Sequence, residues 1–280
     1  MKIFLYARLV GLLILGSLWF SALRADTLDD FTVATWNMQG SSASSELKWD
    51  THVRTLVSGT GRIGVLLLQE AGLPPRSARR TSRVIHSPGI PIDEYEWDLG
   101  TSTRPSPHWI YHSRVDVGAN RVNLAIVTQR RADEVIVLRP PTYISRPIIG
   151  VRFNGAAFFT THALANGGSD ALAIVRRVFD YFASQPPSVR STQWLIGGDF
   201  NRSPDSLQRA IDPVPIVRTR VGIVSQNAPT QRSGGILDYF LVGSVDRLPL
   251  ITSLASLLYS RLLGQLASDH YPVGLLRRSN

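Results

Sequence analysis

Polar residues able to handle a phosphate or a divalent cation follow an apolar segment in the second half of the chain. The segment reads Trp194-Leu-Ile-Gly-Gly-Asp-Phe-Asn201. Its first three residues predict a buried strand, and the two glycines predict a sharp turn where that strand ends. Asp199 and Asn201 stand two residues apart, which places both side chains on one face of an extended chain. A carboxylate beside an amide suits a hard cation or a phosphate oxygen, and an Asx turn explains the pattern equally well.

Other predicted strands also end in polar residues. The whole set comprises Asn37, Glu70, His162, Asp199, Asn201, Asp269 and His270, with Asp238 near the start of another strand. Because binding residues gather at one rim of a rigid scaffold, we expect these side chains to share a site. Histidines that carry protons, carboxylates and amides together favour metal-assisted hydrolysis of a phosphate ester. A solvated carboxylate at Glu70 and a structural histidine at His162 are the competing interpretations.

The elements that must position these residues are strands interleaved with a few helices. A helix is predicted from about Ser45, with Trp49, Val53, Leu56 and Val57 on one apolar face. Further helices are predicted to start at Ser169 and at Ser203-Pro204-Asp205. We also expect a strand over residues 214–224 and a helix over residues 250–263. Apolar strands that end repeatedly in polar residues indicate a sandwich built from sheets.

Residues 71–107 contain many Pro, Gly, Ser and Arg residues and little periodicity, so we predict a long surface excursion. Its arginines are Arg76, Arg79, Arg80 and Arg83. They could face nucleic acid or act as a nuclear address, and a solvated basic loop explains them as well.

The N-terminus has the pattern of a secretory signal. Lys2 and Arg8 precede an apolar run over residues 9–20, and small residues precede a predicted cut after Ala25. We therefore predict a signal peptide at residues 1–25 and a single catalytic domain at residues 26–280. Cleavage removes three basic residues and no acid, which lowers the net charge from +9 to +6. The remaining positive charge favours an anionic partner such as nucleic acid or phospholipid headgroups.

Four motifs resemble those of the DNase I-like endonuclease/exonuclease/phosphatase superfamily. They are Thr35-Trp-Asn-Met-Gln-Gly40, Leu68-Gln-Glu-Ala-Gly72, Gly198-Asp-Phe-Asn201 and Ser268-Asp-His270. Residues 31–273 are similar to the catalytic B subunits of the cytolethal distending toxin family, chiefly over residues 115–127, 145–150, 162–168 and 234–239. The resemblance implies an α/β fold, a four-layer α/β sandwich with two central, mostly antiparallel sheets flanked by helices.

The same resemblance implies a secreted bacterial genotoxin subunit that hydrolyses DNA phosphodiester bonds. Mg²⁺ is the implied cofactor, with Ca²⁺ or Mn²⁺ as substitutes. Cell-binding delivery subunits of an AB-type toxin are the implied partners, in a heterotrimer. The site of action would be the host cell and its nucleus.

Individual roles follow from the resemblance, residue by residue. Glu70, Asp269 and Asn37 match the metal site. His162 and His270 match the catalytic histidines, Asp238 matches the carboxylate that orients His270, and Asp199 and Asn201 match residues that hold phosphate, metal or the attacking water. Arg146 matches a DNA-phosphate arginine. DNase I carries a glutamate where this chain reads Arg121-Val-Asn-Leu, so Arg121 suggests another phosphate contact and what orients His162 stays open.

Three alternatives remain. A phosphoinositide phosphatase would use the same fold, metal and histidines. A sphingomyelinase-like phosphodiesterase is disfavoured, because the sequence shows no exposed aromatic hairpin for membrane entry. A non-catalytic cargo or adaptor is disfavoured as well, because a pure binder has no need of Glu70, His162, Asp199 and His270 together.

Overall fold

Two β-sheets form the centre of the protein. The computed structural model describes residues 25–40, 45–58, 62–87, 89–115, 118, 120–258 and 268–277. Numbered in chain order, the strands of the first sheet are β1 (Val33–Asn37), β2 (Val65–Gln69), β3 (Arg79–Arg80), β4 (Ile92–Asp98), β5 (Pro107–Ser113), β6 (Leu124–Thr128), β13 (Ser253–Leu257) and β14 (Val273–Arg277). Those of the second are β7 (Glu134–Leu138), β8 (Ile148–Phe153), β9 (Ala156–His162), β10 (Gln193–Asp199), β11 (Val221–Val224) and β12 (Asp238–Gly243).

Most neighbouring strands are antiparallel, and each sheet has one parallel pair at its centre. The strand orders are β13-β14-β1-β2-β6-β5-β4-β3 and β11-β12-β10-β9-β8-β7. Strands β1 and β2 run parallel, as do β9 and β10. Parallel neighbours end at the same edge, so Asn37 pairs with Gln69, and Asp199 pairs with His162. The topology therefore gathers the predicted polar residues at one rim of each sheet.

Helices cover the outer face of each sheet. They are α1 (Ser45–Leu47), a π-helical segment (Lys48–Val53) that continues into α2 (Arg54–Ser58), α3 (Ala171–Ala183), α4 (Pro187–Arg190), α5 (Pro204–Ile211) and α6 (Pro215–Arg220), with a 3₁₀ turn at Leu28–Asp30. Trp49, Val53 and Leu56 pack on the first sheet, as their spacing predicts. Leu67 of the first sheet and Phe158 of the second belong to one buried hydrophobic cluster between the sheets. The predicted four-layer α/β sandwich is confirmed.

Several local predictions were wrong. The glycines at 197 and 198 do not turn the chain, because β10 continues through both. A Cβ at Gly197 would lie 2.7 Å from Leu67 Cδ1, and one at Gly198 would lie 2.1 Å from Thr161 O. These glycines therefore permit close packing within and between the sheets.

Three further segments, at 214–224, 250–263 and 71–107, also differ from their predicted structures. The first, predicted as a strand throughout, begins as helix α6, since Pro215 occupies the first helical turn, and becomes a strand only at Val221. The second contains β13, and residues 259–263 lie outside the described part. The third contains β3 and β4, which add strands to one edge of the first sheet.

The helix predicted to have Ser169 as its N-cap is capped one residue later, and it spans Ala171–Ala183. Its N-cap is Asp170, whose Oδ1 accepts the backbone N–H of Leu164 at 2.9 Å. Ser203 caps α5 as predicted, accepting the N–H of Ser206, with Pro204 in the first helical turn. The predicted signal peptide lies outside the described residues except for Ala25. No helix in the described ranges is long and apolar enough to cross a membrane.

Candidate active site

An open cleft of about 580 Å³ lies where the polar ends of the central strands meet. Its lining includes Gln39, Glu70, Arg121, Arg146, His162, Asp199, Asn201, Gln231, Asp269 and His270. Two further predicted residues, Asn37 and Asp238, are buried directly behind this surface. The structure thus brings together every residue that the sequence singled out for the site.

Asn37 connects the two sheets at the floor of the cleft. Its Nδ2 donates to Asp199 Oδ2 at 3.1 Å and to Glu70 Oε1 at 3.3 Å. Its Oδ1 accepts the backbone N–H of Gln39 at 3.0 Å. Because this one amide contacts both carboxylates, it fixes their separation.

A tight turn after β1 brings Gln39 to the same rim. A Cβ at Gly40 would lie 2.3 Å from Glu70 O, so only glycine permits this approach of the two backbones. Lys48, which is 2% exposed, donates from Nζ to the carbonyls of Met38 and Gln39, both at 2.7 Å. Burial lowers the pKa of Lys48, and the charges of Glu70 and Asp269 partly offset this. Sequence reasoning missed this role of Lys48.

Backbone strain is concentrated in the cleft. Gln39, Glu70 and Asn201 have φ angles of 50°, 46° and 48°, in the left-handed region that side chains other than glycine seldom adopt. Such residues cost about 1–3 kcal/mol each and persist where the surroundings fix them. At Asn201 the backbone N–H donates to Asp199 Oδ1 at 2.8 Å. The Asx turn expected as a competing explanation is therefore present, and it is part of the site.

The two histidines converge on a single carboxylate oxygen. Asp199 Oδ2 lies 3.6 Å from His162 Nε2 and 3.7 Å from His270 Nε2. Burial and the charge of Asp238 raise the pKa of Asp199 to about 7, against the opposing effect of His270.

The histidines differ in their own electrostatics. Burial disfavours the cation of His270, but its Nδ1 lies 2.8 Å from Asp238 Oδ2, and this contact together with nearby carboxylates raises its pKa to about 9. Burial, Arg146 and His270 lower the pKa of His162 to about 3. At neutral pH one ring is therefore cationic and the other is neutral.

No carboxylate in the described part of the chain accepts a hydrogen bond from the His162 ring at Nδ1. Within the described residues its Nδ1 is buried and makes no hydrogen bond. The segment that carries the glutamate in DNase I has a different use here, because Asn123 Nδ2 donates to Gly72 O at 2.9 Å. His112 Nε2 reaches the same carbonyl at 2.9 Å. These two contacts hold the turn that follows Glu70, and neither orients His162.

The two predicted phosphate arginines occupy different positions. Arg146 is partly buried, and its Nη1 donates to the carbonyls of His162 and Ala163 at 2.9 and 2.8 Å. It therefore supports the end of β9 as well as lining the cleft. Arg121 is exposed at the cleft rim.

The cleft offers oxygen ligands suited to a divalent cation. The side chains of Glu70 and Asp269 are 23% and 38% exposed and both line the cleft. A second set, Asp199, Asp238 and His270, has ligand atoms within 4.8 Å of one another. Binding an ion there would compete with the hydrogen bond between Asp238 and His270. The Glu70 side of the cleft therefore fits a hard cation better.

Comparison with known proteins identifies the family of this chain. The model of the Endonuclease/Exonuclease/phosphatase family matches residues 34–270, and the chain belongs to that family. Within it, the chain belongs to the group of cytolethal distending toxin B subunits. It is 50% identical to the homolog of the cytolethal distending toxin B subunit from Salmonella typhi, over 90% of this chain and 91% of that protein. It is 45% identical to the B subunit of the cytolethal distending toxin from Escherichia coli, over 90% and 93%.

The fold is also that of a solved toxin. The crystal structure of the Haemophilus ducreyi cytolethal distending toxin includes a chain that is 48% identical, with a TM-score of 0.85. The match covers 90% of this chain and 100% of that one. The similarity therefore extends over the whole catalytic fold.

Proposed function

We propose that the protein is the catalytic subunit of a secreted genotoxin and hydrolyses DNA phosphodiester bonds with a divalent cation. The observation that supports this most is the convergence of His162 and His270 on Asp199 within a cleft that also holds Glu70 and Arg146. One neutral and one cationic histidine in the same cleft can provide the two proton transfers that hydrolysis requires. Each transfer contributes roughly 10²–10⁴-fold to the rate.

The two histidines take different roles in this mechanism. His162, neutral at physiological pH, accepts the proton of the attacking water at Nε2. His270, cationic and held through Nδ1 by Asp238 at 2.8 Å, donates its Nε2 proton to the leaving 3′ oxygen. Asp199 lies between the rings and keeps both aimed at the same point.

A cation in the cleft would be held by Glu70 and Asp269, with Asn37 fixing Glu70 from behind. When bound, Mg²⁺ would offset negative charge that develops on the phosphoryl oxygens. Ca²⁺ or Mn²⁺ would fit the same oxygen ligands. Asn201, Arg121 and Arg146 supply the amide and the guanidinium groups that bind the flanking phosphate oxygens.

Secretion through the signal peptide at residues 1–25, leaving residues 26–280 as the catalytic domain, is part of this proposal. So is assembly with the cell-binding subunits of an AB-type toxin. The names of the two relatives, one a toxin subunit and the other a homolog of such a subunit, support the second point.

A nicking assay on supercoiled plasmid tests the proposal. The purified chain should convert supercoiled DNA to open circles in Mg²⁺, and EDTA should abolish the conversion. Nicking that survives EDTA would exclude the metal, and a complete lack of nicking in Mg²⁺, Mn²⁺ or Ca²⁺ would exclude the nuclease. Phosphate release from phosphoinositide vesicles, measured in parallel, distinguishes the phosphatase that shares this fold. A non-catalytic adaptor would be inactive in both assays.

A further inference from the structure

A second cavity lies outside the cleft, on the exposed face of α3. Its volume is about 440 Å³, and its lining includes Arg176 and Arg177 of the helix, Ser169 before it and Pro141 of the β7–β8 connection. Asp180 also lines it and reduces its positive charge. The hydrolytic mechanism makes no use of any of these residues.

Two chain segments connect this cavity to the cleft. One runs from Ala165 in the cleft to Ser169 in the second cavity, and the other from Arg146 to Pro141. Four residues of extended chain span at most about 14 Å. One strand of duplex DNA rises about 3.4 Å per nucleotide. The facing walls of the two cavities, at Ala165 and Ser169, are therefore no farther apart than the rise of about four nucleotides.

The arginines of this cavity are available to an anion. Arg79 pairs with Glu96 at 3.1 Å, Arg83 pairs with Glu94 at 3.0 Å, and Arg80 pairs with Asp93. These contacts neutralise the basic segment before β4. Across the described ranges, the ion pairs include neither Arg176 nor Arg177, and both are exposed. Arg177 Nη2 donates to the carbonyl of Pro140 at 3.5 Å.

An exposed turn separates the two cavities. Ser145 N donates to Thr142 O at 3.3 Å, and the two hydroxyl oxygens lie 2.5 Å apart. This closure holds Tyr143 and Ile144 outward, with relative exposures of 103% and 63%. An aromatic and an aliphatic side chain held in water beside arginines suit the sugars and base edges of nucleic acid.

We propose that DNA continues from the cleft over the Thr142–Ser145 turn to α3. Arg176 and Arg177 bind backbone phosphates beyond the scissile one, and Tyr143 and Ile144 contact the groove between the two sites. This surface lengthens the substrate-binding track of the nuclease, and the inference rests on the proposed function.

The test is the salt dependence of duplex binding in EDTA, where cleavage does not interfere. For the double variant Arg176→Gln/Arg177→Gln, the slope of log affinity plotted against log salt concentration should become shallower by about 1.8. This corresponds to about 0.9 for each lost phosphate contact. When salt rises from 50 to 200 mM, the affinity of the variant should fall by a factor about twelvefold smaller than that of the wild type. The factor follows from the slope difference of about 1.8 over a fourfold change in salt. Tyr143→Ser should weaken binding without changing the slope. The matched control is Arg218→Gln on α6, next to β11 at the opposite edge of the second sheet, and it should leave the slope unchanged.

An unchanged slope in the double variant would overturn the inference. So would weaker binding to vesicles of phosphatidylserine with DNA binding unaffected, because the surface would then be membrane-binding. The proposed function is tested independently, by measuring whether the wild type nicks DNA in Mg²⁺. A wild type that nicks, with a double variant that binds normally, would refute the extended surface alone.

Discussion

His270 Nδ1 lies 2.8 Å from Asp238 Oδ2, and Asp238 has no exposed surface. A buried carboxylate beside an imidazole favours the cation, and this contact outweighs the burial that would lower the pKa of His270. The cationic state of the proposed acid therefore depends on a residue that does not face the cleft.

We expect Asp238→Asn to lower the pKa of His270 from about 9, because it removes the contact that opposes the effect of burial most strongly. NMR titration of the imidazole protons in metal-free protein measures this directly. As pH rises, nicking by the variant should begin to decline at a lower pH than nicking by the wild type. An unshifted His270 titration would remove Asp238 from this role.

The same pKa shift has a consequence for stability. Because the folded-state pKa of His270 is raised, its contribution to the free energy of unfolding is fully present below about pH 6.5 and is lost as pH rises through about 9. Chemical denaturation at pH 6 and pH 10 should show this loss in the wild type. It should be smaller in Asp238→Asn.

Replacing either cleft histidine with alanine should lower nicking by at least roughly a hundredfold, the low end for a lost proton transfer. The double variant should lose much less than the product of the single losses, because the two groups act as one unit. His86→Ala, at an exposed histidine outside the cleft, serves as the control and should nick normally. Near wild-type nicking by His270→Ala would contradict its assignment.

Glu70→Gln removes a charge at nearly constant volume. The Mg²⁺ concentration needed for half-maximal nicking should rise, while the thermal melt should barely move, since the side chain is only partly buried. Glu96→Gln, which breaks a surface ion pair with Arg79, should change neither. A collapsed melt with an unchanged metal response would make Glu70 structural.

Alanine substitutions of Arg121 and Arg146 should have different effects on DNA binding and turnover. Arg121→Ala, at the exposed rim, should flatten the salt dependence of DNA binding by about one unit. Arg146→Ala should reduce turnover more strongly, because it removes two hydrogen bonds that fix the backbone of His162 and Ala163. Equal effects of both substitutions on slope and turnover would show that Arg146 is only a phosphate contact.

Protonation of Glu94 should lower the free energy of unfolding in acid. Its side chain is fully buried, and although burial raises its pKa, the hydrogen bonds from Arg131, Thr81 and Arg83 lower it overall. Its stabilising contribution is present above the ordinary value of 4.5 and is lost as pH falls through the lower folded value. Glu94→Ala should cost roughly 1.5–3 kcal/mol at pH 7, since it removes charge-assisted hydrogen bonds to Arg83 and to the half-exposed Arg131. The difference from wild type should shrink towards pH 3 in urea titrations.

Much of the site could be predicted from sequence, because the polar residues directly follow apolar strands. Asn37, Glu70 and His162 could be placed from this pattern alone. The partnership of Asp238 with His270 could not be derived from local pattern, because the two residues lie far apart in the chain and only the resemblance implied it. Lys48 and Arg146 support backbone carbonyls, a role that leaves no periodic signal in the sequence.

The wrong predictions have local causes. Two adjacent glycines resemble a turn, but in β10 they relieve crowding from Leu67 and from the neighbouring strand. The interval that contains β3 and β4 looks irregular in sequence because charged residues occupy strand positions and the buried positions of β4 do not alternate. There Glu94 is buried and offset by arginines, an arrangement that hydropathy alone does not reveal.

The central position of β1 has a consequence for how the enzyme is made. Its neighbour on one side is β14, and Val33 pairs with Leu275 across nearly the whole chain. Contacts of such sequence separation form late, because a long loop must close first. A chain emerging from the ribosome cannot complete the first sheet, or bring His270 to His162, until its last strand has been released. The proposed active site is therefore incomplete until the last strand has been made, and we expect deletion of β14 to disrupt both the fold and the activity.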